Sequence, residues 1–267
     1  MKLATFVRNA VYESDIRDLN VDGTDLIAAH RRILERKPLL RSAFAAFYRD
    51  MIQNCDCWLP ANGLELELGS GVGFFNRLRP NVITSDIRPI PTIDRVINAG
   101  QMDLPDKAVR CIYAINVFHH LPDPERFFSE LCRVLKSGGG CILIEPHNGL
   151  GSRLLHRHMH KDEHFDHEAL SWKTEDIRGP MSGANQALAH IVFERDREVF
   201  EARYGRDLEI AHQAYCLNSL RYFFSGGLNF RQLLPSSTES LLRAMEKMAR
   251  SLARHWSLHQ IIVLRKR

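Results

Sequence analysis

Residues 64–75 read LELELGSGVGFF, an alternating apolar run that leads into a glycine-rich turn and then into the start of a helix. The run predicts a buried β-strand, and the turn after it has to bring the backbone close to a ligand. Glycine suits such a turn because it lacks a Cβ atom and adopts positive φ without strain. The stretch therefore predicts a nucleotide-type cofactor site at the carboxyl end of a strand.

The spacing within this turn distinguishes between cofactors. It reads E-x-G-x-G-x-G, and Phe74 stands where the dinucleotide-binding pattern G-x-G-x-x-G needs its last glycine. The turn instead resembles motif I of the class I S-adenosylmethionine-dependent methyltransferases. In that family the acid organises the amino-acid end of the cofactor, and the glycine loop packs under its methionine and ribose portion. The resemblance implies that these roles fall to Glu67, Gly69, Ser70, Gly71 and Gly73.

Two further stretches resemble cofactor-binding segments of the same family. Residues 81–87 (NVITSDI) predict a second strand ending in Asp86, whose carboxylate can accept both ribose hydroxyls, with Ile87 beside it. Residues 95–112 resemble the adenine-binding stretch of the family, with Asn98 and Ala99 at the positions that contact the base. The family usually has an aspartate at the first of these positions, but Asn98 can still accept through its side-chain carbonyl.

Residues 111–124 (CIYAINVFHHLPDP) predict another strand, which ends at Asn116 and is followed by His119 and His120. We count Asn116 among the cofactor-binding residues. Asp123 and the proline after it begin a helix, which the glycine-rich run 136–140 ends. A short buried strand over 141–146 follows. Strands that alternate with helices imply a parallel sheet with ligands at the carboxyl ends of its strands.

We therefore predict an α/β fold. The resemblance implies a Rossmann-like, seven-stranded, mostly parallel sheet with helices on both faces and an antiparallel last strand. We assign residues 1–60 to an N-terminal helical cap and 61–148 to the S-adenosylmethionine-binding core. Residues 149–230 are assigned to an insertion that forms the acceptor pocket and carries the sixth strand, and 231–267 to the final helix and closing strand.

Outside the core, the sequence predicts two amphipathic helices before the sheet, over 25–37 and from 38 onward. Their polar face, which includes His30 and Lys37, is predicted to be solvated or to close as a lid over the cofactor. Residues 185–204 predict a single helix. A helix predicted over 239–256 carries an apolar stripe that is expected to face the core. The stripe consists of Leu242, Met245, Met248 and Leu252.

The histidines that follow the strands are candidates for acid–base chemistry. Methyl transfer from a sulfonium is an in-line displacement, in which the protein aligns the acceptor and, where needed, removes its proton. His119, His120 and His147 follow the fourth and fifth strands, and each could act as that base near neutral pH. The segment 147–167 is rich in histidine, but its H-x-H-x-H run would share one face only in a strand, and the flanking residues indicate helix and loop. We therefore predict no metal site.

Composition limits the partners and the compartment. The formal charge of +4 does not demand nucleic acid, and the fourth strand lacks after it the N-P-P-Y-like tetrapeptide usual in enzymes that methylate bases. No apolar run is long enough to cross a bilayer and no signal-peptide core is visible, so we expect a cytoplasmic protein with reduced cysteines. The expected acceptor is a small molecule, a glycan or a lipid-linked compound, methylated on oxygen or nitrogen. The oligomeric state stays open.

Two other classes of protein stay open at this point. A binding module could hold S-adenosylmethionine without turnover. A nicotinamide-dependent oxidoreductase is disfavoured by Phe74 and by the closing strand predicted over 259–267 (HQIIVLRKR), because dinucleotide-binding domains lack an antiparallel strand at that place.

Overall fold

A seven-stranded sheet organises the residues that the computed structural model describes, which are 11–159, 163–174 and 178–267. The strands are β1 (Leu64–Leu68), β2 (Val82–Asp86), β3 (Arg95–Val96), β4 (Val109–Ile115), β5 (Leu135–Pro146), β6 (Leu208–Tyr215) and β7 (His259–Lys266). They lie in the order β3-β2-β1-β4-β5-β7-β6. Strands β1 to β5 are parallel, whereas β7 is antiparallel to its neighbours β5 and β6. The predicted Rossmann-like sheet with an antiparallel last strand is confirmed.

Helices cover both faces of this sheet. The longer ones are α1 (Thr24–Arg36), α2 (Pro38–Trp58), α4 (Pro124–Val134), α5 (Leu150–Met159), α7 (Arg197–Tyr204) and α9 (Glu239–Met248). The shorter ones are α3 (Phe75–Leu78), α6 (Leu188–His190), α8 (Ser219–Phe224) and α10 (Ala253–Trp256). At the start of α4, Asp123 caps the helix by accepting a hydrogen bond from the backbone N–H of Glu125 at 3.1 Å, as predicted.

Each face of the sheet has its own apolar core. One core joins α4 to the segment 187–204 through a cluster of phenylalanines, which are Phe118, Phe127, Phe128, Phe193 and Phe200. The other core joins α2 to the strands, with Tyr48 stacked on Phe75 at a ring-centroid distance of 4.8 Å. Helix α2 is therefore a layer of the sheet's own packing, and it holds the preceding helix α1 near the carboxyl ends of the strands.

The helix predicted over 185–204 is interrupted in the structure. Residues Ile191–Arg195 form a π-helical segment between α6 and α7, and the backbone N–H of Asp196 donates to the carbonyl of Ile191 at 2.8 Å. A π turn is wider than an α turn, and here three consecutive side chains, at 191–193, are all buried. A sequence pattern searched with the 3.6-residue period of an α-helix does not reveal this wider π turn.

The predicted core-facing stripe of the helix over 239–256 is wrong for three of its four residues. Leu242 is buried, but the other members are exposed: Met245 by 45%, Met248 by 84% and Leu252 by 58%. The reason is that α9 packs through Glu246, whose carboxylate pairs with Arg221 at 2.7 Å. This buried ion pair, rather than the apolar stripe, sets the side of α9 that faces the protein.

The remaining expectations concern cysteines and membranes. All six cysteines are free, and Cys55, Cys111, Cys141 and Cys216 are buried. In the described ranges, no helix combines the length and the apolar character that crossing a bilayer requires.

Replacing Glu246 by alanine is expected to lower the free energy of unfolding by about 3–5 kcal/mol, because the Arg221 guanidinium would stay buried without its carboxylate. Glu246 accepts from the Nε–H and the backbone N–H of Arg221 at 2.7 and 2.9 Å. Unfolding in urea measures the change. The control Glu198→Ala, at an exposed position of α7, should shift the free energy by less than about 0.5 kcal/mol. Equal losses in both variants would contradict the prediction.

Candidate cofactor and acceptor site

A cavity of about 350 Å³ lies at the carboxyl ends of the parallel strands. Ligands bind at this edge in open α/β sheets, and the volume is typical of small-molecule sites, which span about 300–1,000 Å³. Its walls come from the turn after β1, the loops after β2 and β4, helix α1, and the segments around 180–186, 222–229 and 258–259. Residues that are distant in the sequence thus form a cavity together with the loops at which the motifs predicted a cofactor site.

The turn after β1 leaves space for a ligand at one of its glycines. Gly69 and Gly71 have φ values of +67° and +38°. A Cβ atom added at Gly69 would clash with a side chain of the loop after β4, and one added at Gly73 would clash with the Tyr48 hydroxyl. A Cβ atom at Gly71 would meet nothing closer than Asp86 Oδ2 at 3.6 Å. Of these three glycines, Gly71 is therefore the one beside which the protein leaves empty space. This space is compatible with a cofactor that approaches the backbone closely.

Ser70 fixes this turn to the neighbouring strand. Its backbone N–H donates to the carbonyl of Ser85 at 2.8 Å, and its Oγ accepts from the backbone N–H of Ser85 at 3.1 Å. The hydroxyl is thus used within the protein, although Ser70 also lines the cavity. Its role at the cofactor stays a prediction.

Two carboxylates stand at the ends of the first two strands. Burial, together with the nearby Asp86 carboxylate, raises the pKa of Glu67 to about 7. Asp86 is also buried, and its Oδ1 accepts from the backbone N–H and the Nε–H of Arg88 at 3.0 and 3.2 Å. Its Oδ2 is the atom that faces Gly71. This arrangement suits a carboxylate that accepts hydrogen bonds from a ligand resting on the glycine turn.

The predicted adenine-binding residues line the same cavity. Ile87 is 49% exposed, whereas Ala99 is buried. The side-chain carbonyl of Asn98 accepts from the backbone N–H of Gly100 at 2.9 Å. A carbonyl oxygen has a second lone pair, so this turn is compatible with the contact predicted for Asn98.

Asn116 is held in an unusual backbone conformation at the end of β4. Its φ is +53°, in the left-handed region that non-glycine residues rarely adopt. Its backbone N–H donates to the carbonyl of Ile144 at 2.8 Å, while its Oδ1 is buried without a hydrogen-bond partner among the described residues. A buried, unpaired oxygen beside a cavity is a natural acceptor for a bound ligand.

The sequence analysis did not include Glu145 in the site, although an acid at the carboxyl end of a buried strand was a signal for it. Its Oε1 accepts from the backbone N–H groups of Val117 and Phe118 at 2.9 and 2.8 Å, and its Oε2 lies 2.6 Å from His119 Nδ1. Burial lowers the pKa of His119 to about 3. The ring is therefore neutral at pH 7. Burial also raises the pKa of Glu145 to about 7. In its ionised form, which two backbone N–H groups stabilise, this carboxylate accepts the Nδ1–H of His119, and the lone pair of Nε2 is left for a ligand.

His120 lines the cavity beside His119, with the two ring centroids 4.2 Å apart. Its Nε2 lies 3.6 Å from Glu163 Oε1, and the second oxygen of Glu163 accepts from Gln186 Nε2. Nothing in the sequence motifs pointed to Glu163, because it belongs to the segment after β5 and reaches the site only through the tertiary fold.

The structure does not bring His147 to the cavity wall. Its Nε2 lies 3.0 Å from the carbonyl oxygen of Arg254, and its ring packs against Tyr215 at a centroid distance of 4.6 Å. The backbone N–H of His147 donates to the carbonyl of Leu258 at 2.9 Å, which continues the pairing of β5 with β7, and His147 is not among the residues that line the cavity. We do not carry His147 forward as a candidate base.

Helix α1 contributes a histidine that the sequence analysis placed on a solvated or lid-like face. His30 is buried, and its Nε2 lies 2.9 Å from Asn229 Oδ1. Burial lowers the pKa of His30 to about 4. Lys37, predicted on the same face, is also buried and pairs with Glu13 at 2.8 Å. The solvated-face expectation is therefore wrong for both residues, because α1 lies against the cavity and the segment around Asn229.

A comparison with family models agrees with the motifs. Residues 66–143 match the family model described as a methyltransferase domain. The match begins in β1, includes the glycine turn and the ends of β2 and β4, and finishes in β5. With the observed sheet, it shows that residues 66–143 form a methyltransferase domain with the class I fold. The matching domain is of the type 11 group, and the chain is an enzyme with S-adenosylmethionine as its cofactor. The nicotinamide and non-catalytic alternatives are set aside.

Several solved structures are similar to this chain. Phosphoethanolamine N-methyltransferase 2 of Haemonchus contortus, in complex with S-adenosylmethionine, is 14% identical, with a TM-score of 0.46 over 95% of this chain and 59% of that one. Geranyl diphosphate C-methyltransferase of Streptomyces coelicolor is 13% identical, with a TM-score of 0.44 over 82% and 78% of the two chains. An S-adenosylmethionine-dependent methyltransferase of Archaeoglobus fulgidus is 16% identical, with a TM-score of 0.44 over 82% and 92%. No curated protein sequence matches the chain.

Gly71→Ala is expected to weaken binding of S-adenosylhomocysteine by about tenfold or more, because the added methyl group enters space that the protein leaves open. The left-handed backbone should cost only about 1–2 kcal/mol of stability. Calorimetric titration and urea unfolding measure the two effects. The comparison variant Gly69→Ala should lose more stability, because its Cβ atom clashes with protein. Unchanged affinity in Gly71→Ala would argue against this turn as the cofactor cradle.

The affinity for S-adenosylhomocysteine is expected to rise with pH as Glu67 loses its proton. The pKa of this acid is about 7 in the free protein, and the cofactor's ammonium group favours the ionised form. Below pH 7 binding must expel a proton, so affinity should fall by up to about tenfold per pH unit. Titrations between about pH 5.5 and 8 test this. Glu67→Gln, which has no proton to lose, should flatten the profile; the same slope in both proteins would refute the assignment.

Proposed function

We propose that this methyltransferase transfers a methyl group to an oxygen or nitrogen atom of a small-molecule, glycan or lipid-linked acceptor. The observation that carries the proposal is that the glycine turn and two histidines face one cavity whose remaining wall is largely apolar. A mostly apolar cavity with a few convergent polar groups is typical of small-molecule sites. The apolar wall consists of Leu26, Ile27, Phe44, Leu155, Met181, Tyr222, Leu228 and Leu258.

The cofactor belongs, in this proposal, at the end of the cavity formed by the first two strands. Bound there, S-adenosylmethionine supplies an activated methyl carbon, so the protein has to align the acceptor and take up its proton. Glu67 and the oxygen of Asn116 offer acceptors for the cofactor's amino-acid end, and Asp86 Oδ2 for its ribose. Ile87, Asn98 and Ala99 surround the base.

The acceptor belongs at the other end, beside His119 and His120. Glu145 fixes the ring of His119 and takes its Nδ1–H, as an orienting carboxylate does in many acid–base pairs. The Nε2 lone pair then faces the cavity at neutral pH. His30 and Asn229 also line the cavity and add polar groups that can position an acceptor's hydroxyl or amino group.

A nucleic-acid base is a poor fit to this arrangement. An enzyme of that type stacks a flipped base on an exposed aromatic ring after the fourth strand. In this chain the fourth position of the corresponding tetrapeptide, residues 116–119, is His119, which is 2% exposed and bound to Glu145. The proposal therefore excludes base methylation and favours a compact acceptor.

Transfer of label from methyl-labelled S-adenosylmethionine into a fractionated bacterial extract tests the proposal. Label should enter the low-molecular-weight, glycan or lipid fraction and be absent with Gly71→Ala. Label in the nucleic-acid fraction, or in no fraction despite cofactor binding, would refute the assigned acceptor class.

His119→Asn is expected to lower kcat by about 10²–10⁴-fold on the acceptor so identified, because the group that takes up the acceptor's proton is lost. Affinity for S-adenosylhomocysteine should stay within a few-fold of the original, since the cofactor lies at the other end. Steady-state kinetics and calorimetry separate the two effects. His255→Asn, at an exposed position of α10, is the control and should change neither. Full activity in His119→Asn would contradict the assignment.

A further inference from the structure

We propose that His119, His120 and Glu163 bind a divalent transition-metal ion at the acceptor end of the cavity. The metal site stands on its own geometry, and only its use in catalysis rests on the proposed function: with an ion bound, the His119 lone pair coordinates the metal, and the metal takes over from the free ring the activation of the acceptor. One nitrogen from each histidine and one oxygen from Glu163 lie within 4.8 Å of one another. Metal–ligand bonds of about 2.0–2.2 Å place tetrahedral ligand atoms roughly 3.4 Å apart. Small rotations of these side chains close the site.

The groups behind the ligands have the arrangement that metal sites use. A metal-binding histidine almost always donates its other ring N–H to a carboxylate or a carbonyl, which orients the ring. Glu145 does this for His119 at 2.6 Å, and two backbone N–H groups hold Glu145 itself. On the other side, Gln186 holds one oxygen of Glu163 while the second oxygen faces His120. Glu145 and Gln186 thus hold the side chains of two proposed ligands, His119 and Glu163, in place.

The local charge and enclosure also favour a cation. The side chains of His119, His120 and Glu163 are 3%, 10% and 12% exposed, so water screens the carboxylate weakly. Of the described residues that line the cavity, the one lysine or arginine is Arg88, and it pairs with Asp86 at the cofactor end. A divalent cation would place positive charge beside a largely buried carboxylate.

The donor set indicates which metal and which acceptor the site suits. Two imidazoles and one carboxylate favour zinc, iron, cobalt or manganese over magnesium and calcium, which prefer oxygen ligands. Three protein ligands leave at least one position open. Because the open side faces the cavity, the site would take an oxygen of the acceptor, which narrows the substrate to a hydroxyl- or carboxylate-bearing compound.

This site differs from the prediction that the chain holds no metal. That prediction considered the histidine-rich segment 147–167 and its H-x-H-x-H spacing. The ligands proposed here are two adjacent histidines after β4 and an acid from the far side of that segment. No spacing pattern within one segment could show them together.

Titration of chelator-treated protein with Co²⁺ tests the site directly, because cobalt bound by nitrogen and oxygen ligands in a closed site absorbs visible light. The expected result is saturable absorption that Zn²⁺ displaces. His120→Asn and Glu163→Gln should each weaken binding by roughly 10–100-fold or more, and Glu145→Gln by a comparable factor through loss of orientation. The matched controls His255→Asn and Glu168→Gln, both at exposed positions, should bind as the original protein does.

The outcomes separate this inference from the proposed function. Absence of cobalt absorption, or absorption equally strong in His120→Asn and Glu163→Gln, overturns the metal site. Calorimetry with S-adenosylhomocysteine on the metal-free protein tests the cofactor site alone, and thermal unfolding of each variant shows that it is folded. Binding of cofactor without cobalt therefore refutes only the metal. Label transfer that stops on chelation and resumes with Zn²⁺ or Mn²⁺ supports the use of the metal in catalysis.

Discussion

The loop after β4 has its shape because Glu145 lies beneath it. A carboxylate with no exposure to water must be satisfied by hydrogen bonds, and its donors are two backbone N–H groups of the loop and the ring of His119. These bonds fix the chain directly after the left-handed residue Asn116. They also turn Phe118 into the core and His119 towards the cavity. One buried acid thus sets the orientation of the side chains on which the acceptor end depends.

The two ends of the cavity are built in different ways. The proposed cofactor end comes from short turns that directly follow β1 and β2, and its glycines are fitted against neighbouring protein atoms at Gly69 and Gly73. The acceptor end is assembled from α1, the loop after β4 and the segments after β5 and β6. In the proposed arrangement, changes in the distant segments would alter the acceptor end and leave the glycine turn intact.

The sequence predicted the sheet and the strand ends that line the cavity, because both follow from local rules. Glu67, Gly71 and Asp86 stand at strand ends that alternation and turn chemistry mark within a few residues. His30 and Glu163 were missed because only the tertiary fold brings them to the cavity. The prediction from the apolar stripe on α9 was wrong for a related reason. The partner of Glu246 is Arg221, which lies in another helix. The spacing of apolar residues within one helix gives no information about such a partner.

The position of β7 has a consequence for how the sheet is completed. Residues 259–266 lie between β5 and β6, so β6 contacts the rest of the sheet only through a strand that follows it in the chain. Until β7 is in place, the edge of β5 presents unpaired backbone groups along a strongly apolar strand. Long-range pairings of this kind form late, so we expect the exposed edge of β5 to be open to aggregation during synthesis until β7 inserts.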